Sequence, residues 1–136
     1  MDPAQRADDD GVAGRRVLLI DDEDDIREVA QLSLELVGQW DVMTARSGAE
    51  GMVRAETVQP DAILLDVMMP EMDGAQTYRR LQANPATRDI PVVLLTAKLF
   101  EPDTDRDGLE GVTVISKPFD PLLLPAQVAS ALGWSN

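Results

Sequence analysis

The stretch Val17-Leu18-Leu19-Ile20-Asp21-Asp22 decides how this chain folds: four apolar residues that run straight into two carboxylates. The same design recurs downstream. Ala62-Ile63-Leu64-Leu65 ends on Asp66, Val92-Val93-Leu94-Leu95 ends on Thr96, and the run from Val112 to Ser116 ends on Lys117. Runs this short, rich in Val, Ile and Leu and separated by helix-like stretches, read as buried parallel strands. In an open parallel sheet, ligands sit outside the carboxyl ends of the strands. Three carboxylates, a hydroxyl and an ammonium are therefore expected on one edge. Packing alone does not call for that set.

Between the runs the pattern turns helical. Residues Asp24 to Val37 place Ile26, Val29, Ala30, Leu34 and Val37 at helical spacing, with Gly38 as a stop. Trp40 to Ala45 reads as a shorter, more polar edge strand. Ser47 is a good N-cap with Glu50 as its capping-box partner, opening a helix to about Thr57 that buries Met52 and Val53. A Pro- and Gly-punctuated loop, Met68 to Gly74, precedes a helix with Tyr78 and Leu81 inward, ending near Asn84-Pro85. Residues Glu101 to Gly111 leave room for only a short fourth helix. Asp120 as N-cap and Pro121 at the first position open the last helix, with Leu123, Leu124, Val128 and Leu132 inside and Gly133 as its end. Five β-α units predict a doubly wound α/β fold, a five-stranded parallel sheet of flavodoxin-like order 2-1-3-4-5. The switch point then falls between the strands carrying Asp21-Asp22 and Asp66.

Composition narrows the chemistry. The 136 residues make one domain, read as 15–136 behind a solvated acidic tail over 1–14 that includes Asp8-Asp9-Asp10. There is no cysteine and no histidine, so a metal would be held by oxygen. A net charge of −13 argues against nucleic acid or an anionic membrane as partner. With no membrane-length apolar run and no signal pattern, a cytoplasmic protein is expected. Clustered carboxylates raise one another's pKa unless a cation intervenes. Mg²⁺ suits the all-oxygen set, with Asp22 and Asp66 as direct ligands and water elsewhere. Such an ion is placed to receive a phosphoryl oxygen.

These residues resemble the response-regulator receiver domain of two-component signalling. The matching pieces are Ile20-Asp21-Asp22-Glu23, Leu65-Asp66-Val67-Met68-Met69-Pro70 with Met72-Asp73-Gly74, Leu95-Thr96-Ala97 and Ser116-Lys117-Pro118-Phe119, covering roughly Arg16 to Gly133. The resemblance implies that Asp66 is the phosphoacceptor, taking a phosphoryl group from the phosphohistidine of a sensor histidine kinase or phosphotransfer protein. It implies Mg²⁺ ligation by Asp22, Asp66 and the backbone carbonyl of Met68, with Asp21 acting mainly through water. Lys117 would contact the phosphoryl group, Thr96 would swing to bond one of its oxygens, and Lys117-Pro118 is commonly cis in relatives. Phosphorylation would then shift a two-state surface.

Departures and alternatives accompany the resemblance. Relatives often carry Tyr or Phe where this chain has Val114, and valine cannot swing as a ring does. Met68 and Lys98 occupy places that affect dephosphorylation in the family. Methionine orients water poorly, so slow self-hydrolysis is expected from a domain that is not otherwise an enzyme. Only three residues follow Gly133, which reads as a stand-alone domain. Its output would pass through protein contact at the helix 4-strand 5-helix 5 face, from a monomer or weak dimer. Taken singly, Asp21 and Asp22 read as helix caps, Thr96 as a strand-end hydroxyl and Lys117 as a surface lysine. A Mg²⁺-dependent phosphatase would need a carboxylate where Met68 stands. A flavodoxin-like cofactor binder would need a phosphate loop where Asp22-Glu23-Asp24-Asp25 lies, and a scaffold without phosphorylation would show a missing Asp or Lys.

Overall fold

Strands that all point one way bring their carboxyl ends to one edge, and that geometry is observed. A computed structural model describes residues 15–67, 74–96, 113–117 and 119–134, and of Thr96 the backbone alone. Among these, β1 (Arg16–Ile20), β2 (Asp41–Ala45), β3 (Ala62–Asp66), β4 (Val92–Thr96) and β5 (Thr113–Ser116) form one sheet. The spatial order is β2-β1-β3-β4-β5, as expected, and every pair is parallel. The helices are α1 (Asp24–Leu32), α2 (Gly48–Val58), α3 (Gly74–Ala83) and α4 (Leu124–Leu132), the last being the fifth helix of the sequence reading. The expected tail over 1–14, the loop at Met68, Lys98, the short fourth helix and the Lys117-Pro118 bond lie outside the described residues. No described helix is long and apolar enough to cross a membrane.

Side-chain alternation along each strand feeds two cores. Val17, Leu19, Leu64, Val93 and Leu95 join Ala30, Leu34, Leu124 and Val128 on the face covered by α1 and α4. Leu18, Ile20, Ile63, Leu65 and Leu94 pack with Ala55 and Leu81 on the face covered by α2 and α3. Burial on both faces explains why these strands read as unbroken apolar runs. Trp40, just before β2, is buried and meets Trp134 edge-on at 5.2 Å, while Arg15 stacks over Trp134 at 4.7 Å.

Helix details depart from the sequence expectation at several points. Residues Ser33–Val37 form a π-helical turn rather than continuing α1, with the Gly38 N–H reaching the Ser33 carbonyl. Ala30 and Leu34 are buried but Val29 and Val37 stand 43% and 47% exposed, and widening the turn rotates the face beyond it, where Val37 lies. Gly38 does not supply the left-handed residue at this corner; Gln39 does, at φ 61°. In α2, Val53 is exposed and Met52 half-buried; small residues, Gly51 and Ala55, make the contact. Ser47 does cap α2, accepting from the Glu50 N–H at 3.1 Å, and Glu50 reaches back to the Arg46 N–H at 2.7 Å.

The last helix begins later than expected. Asp120 caps a separate turn over 121–123, its carboxylate accepting from the Leu122 N–H at 2.9 Å, and Leu123 is the helix N-cap. Pro125 explains the break: it has no N–H to give the Pro121 carbonyl. The buried Ser33 hydroxyl donates to that carbonyl instead. Leu123 is consequently exposed, while Leu124 and Val128 fill the core. Gly133 ends the helix at φ 73°, as anticipated.

A glycine at position 51 lets α2 lie against the end of β1. A Cβ there would stand 2.3 Å from Ile20 Cδ1 and 2.8 Å from Cγ1. Alanine would gain about 1 kcal/mol of helix propensity, but overpacking costs about 1–3 kcal/mol. Gly51→Ala is expected to lose stability, read as a lower urea midpoint at unchanged slope. The loss should shrink in an Ile20→Val background; equal losses in both backgrounds would count against the contact.

Candidate functional site

Register places the charged strand ends side by side. Ile20 pairs with Leu65, so Asp21 and Asp66 each stand one residue further along adjacent strands. Asp66 pairs with Leu95 and Thr96 with Ser116, which sets Lys117 just past the end of β5. Asp21, Asp22 and Asp66 can each offer a carboxylate oxygen with all of these oxygens within 4.8 Å of one another. Asp21 and Asp66 are fully buried and Asp22 half-buried. The sequence-predicted residues Asp21, Asp22, Asp66 and Lys117 are thus brought together. The backbone of Thr96 reaches the same edge; its hydroxyl and Met68 lie outside the described residues.

Each carboxylate is held differently. Asp21 Oδ1 accepts from the Glu23 N–H at 2.9 Å, and its Oδ2 accepts from Lys117 Nζ at 2.7 Å. This is an Asx turn rather than a helix cap, and Glu23 takes the N-cap place of α1, with Asp24 and Asp25 in the first turn. Lys117 Nζ also lies 3.5 Å from Asp66 Oδ1 and 3.6 Å from Glu23 Oε1. Asp22 Oδ1 is buried and has no hydrogen-bond partner among the described residues. A buried, unsatisfied carboxylate oxygen is costly, and here it belongs to a residue already singled out as a metal ligand.

The electrostatics follow from these distances. Burial, the strongest single influence on Lys117, pushes its pKa down. The hydrogen bond and charge of Asp21, with the charges of Asp66 and Glu23, outweigh it, and the net shift is upward. Lys117 is therefore an ammonium at neutral pH, 4% exposed at the side chain. Three carboxylates against one ammonium leave two negative charges in a small, partly desolvated space. An oxygen-only donor set of that charge fits a hard divalent cation.

Gly74 holds the chain close behind Asp66. Its N–H bonds the Val67 carbonyl at 2.9 Å, and a Cβ would lie 2.6 Å from the Asp66 carbonyl oxygen. Arg27 was given no role by the sequence reading, yet it donates to the Asp21 carbonyl at 3.0 Å and to Asp24 Oδ1 at 2.5 Å. Its spacing three residues from Asp24 signals the ion pair; the contact with the Asp21 carbonyl carries no local signature. Val114 is 39% exposed on β5 and lines an open groove with Phe119, Leu123 and Gln127.

Comparison with known proteins agrees with this arrangement. The pattern describing the response regulator receiver domain matches residues 17–129. The alkaline phosphatase synthesis transcriptional regulatory protein PhoP of Bacillus subtilis is 36% identical over 127 residues, covering 90% of this chain and 50% of PhoP. Response regulator PleD of Caulobacter vibrioides is 42% identical over 119 residues, covering 85% of this chain and 25% of PleD. The chain spans about half the length of PhoP, and a quarter of PleD. Among solved structures, chemotaxis protein CheY4 of Vibrio cholerae superposes with a TM-score of 0.78 at 27% identity, covering 88% of this chain and 99% of CheY4. The N-terminal domain of a response regulator receiver protein from Methanoculleus marisnigri gives 0.70 at 33% identity, covering 89% and 98%.

The Lys117–Asp21 pair is buried, so removing one partner strands the other. Lys117→Met is expected to cost about 3–5 kcal/mol in urea unfolding without metal. Adding Asp21→Asn should recover much of that loss. Because the Lys117 pKa is raised, the pair's contribution is complete below the ordinary lysine value and is lost only as pH rises through the higher folded value. Measurement at neutral pH therefore reads all of it. Equal stability of the single and double variants would contradict the pairing.

Proposed function

Because the chain belongs to the response regulator receiver family, we propose that it accepts a phosphoryl group on Asp66 from a phosphohistidine in a Mg²⁺-dependent reaction. One observation carries the reading: the Asp66 carboxylate ends the central strand inside a carboxylate cluster, 3.5 Å from a buried lysine ammonium. In the proposed transfer, an Asp66 oxygen forms the new P–O bond as the P–N bond of the donor histidine breaks, yielding an acyl phosphate. Asp22 and Asp66 would hold Mg²⁺ directly, with the Met68 carbonyl as a further ligand and Asp21 through water. The buried Asp22 Oδ1, without a hydrogen-bond partner among the described residues, supports this fit. When bound, the ion supplies charge neutralisation for the phosphoryl oxygens.

The protein's own residues do the remaining work. Lys117, kept charged by Asp21, stands where a phosphoryl oxygen on Asp66 would need a counter-charge. Transfer of this kind asks for positioning and charge stabilisation more than for covalent chemistry. Thr96 is proposed to bond a phosphoryl oxygen and draw its loop inward. With Val114 in place of a ring, the output would rest on backbone movement of the short helix expected within Glu101 to Gly111, read by a partner at the face which that helix would form with β5 and α4. We assign residues 15–136 to the receiver domain, with 1–14 outside it. A sensor histidine kinase or phosphotransfer protein would be the donor and a protein the receiver of the signal, in the cytoplasm, from a monomer or weak dimer.

Incubation with acetyl phosphate and Mg²⁺ should yield a single phosphate adduct by intact mass. Asp66→Asn, with circular dichroism unchanged, should yield none; an adduct on that variant would sink the assignment. Met68 is proposed to slow self-hydrolysis because a thioether orients water poorly. Met68→Asn should shorten the phosphoryl half-life about tenfold, and a half-life as long as that of the unmodified sequence would contradict the role.

A further inference from the structure

The direction in which Asp22 aims is set by backbone, because its buried Oδ1 has no partner among the described residues to hold it. Three consecutive peptide planes lead through this corner, and each is held by a hydrogen bond. The Asp21 N–H bonds the Ala45 carbonyl at 3.0 Å. The Glu23 N–H bonds Asp21 Oδ1 at 2.9 Å. The plane between them, which joins Asp21 to Asp22, is pinned at its carbonyl oxygen by the Arg27 guanidinium at 3.0 Å. β1 has ended at Ile20, so that carbonyl lies beyond the strand.

We infer that Arg27 is a positioning residue of the metal site, locking the Asp21–Asp22 peptide plane so that the Asp22 carboxylate meets the cation. This rests on the Mg²⁺ reading above. The planar fork of arginine is what the geometry uses: one nitrogen reaches the Asp21 carbonyl and another reaches Asp24 Oδ1 at 2.5 Å. The Arg27 side chain is only 14% exposed, while that of Asp24 is 78% exposed. The Arg27 N–H also bonds the Glu23 carbonyl at 2.9 Å, seating the residue in the first turn of α1.

Charge and geometry predict opposite signs, which makes the inference testable. As a positive charge near a cation site, Arg27 repels Mg²⁺, and its removal should tighten binding if charge were all it contributed. As a positioning group, its removal should weaken binding. Calorimetric titration with MgCl₂ is expected to give a Kd about tenfold weaker for Arg27→Gln than for the parent. Arg27→Lys keeps the charge but not the fork, and should fall between the two. Melting curves in EDTA establish whether each variant folds. A Gln variant that binds Mg²⁺ as tightly as the parent, or tighter, overturns the inference. Should the Gln variant not fold, the Lys variant decides: a Kd equal to the parent's overturns it. A parent that takes up no Mg²⁺ overturns the metal site as well, whereas a parent that binds beside an equally competent Gln variant overturns the positioning role alone.

Discussion

The 2.7 Å bond between Lys117 and Asp21 joins residues 96 positions apart and closes the acidic edge of the sheet. The charge balance of this edge depends on that contact. Asp21 and Asp66 are fully buried, and negative charges so placed repel one another across a medium that screens poorly. One ammonium relieves part of the repulsion and leaves the charge of a divalent ion to be supplied. The protein itself thus offsets one of the three carboxylate charges. A buried ion pair of this kind adds little net stability; its value lies in fixing where the remaining negative charge sits.

The sheet makes that placement possible. Parallel strands carry no net choice about where their polar ends go: all five deliver them to one edge. With α1 and α4 over one face and α2 and α3 over the other, side chains within the strands are committed to packing. Only residues at the strand ends or just past them are free of that commitment. Small residues on the helices then decide how tightly the layers close, as at Gly51 against Ile20, one residue before Asp21. Behind Asp66, Gly74 serves a similar end, allowing α3 to start in contact with the strand it follows.

Much of this was legible in the sequence. Fully buried strands have a local signature, an unbroken apolar run, and the strands carrying Asp21, Asp66 and Thr96 were read correctly from it. The helical faces were less legible. Val29, Val37, Val53 and Leu123 are apolar yet exposed or half-exposed, because hydrophobicity does not reveal a widened turn or a late helix start. The delayed start of α4 has a cause visible only in three dimensions. Pro125 leaves the Pro121 carbonyl without its helical donor, and Ser33, 88 residues away, supplies the hydroxyl.

What the sequence by itself determined is the kind of chemistry at the edge: carboxylates, a lysine and no imidazole or thiol, set at or just past the ends of strands. Strand burial is a local pattern, so it survives in one dimension. Only the tertiary structure decided which oxygen each donor takes: Lys117 on Asp21 Oδ2, the Glu23 N–H on Oδ1, Arg27 on the backbone carbonyl. A hydrogen bond is made within a few tenths of an ångström. That precision comes from packing between distant segments, and spacing along the chain does not encode it.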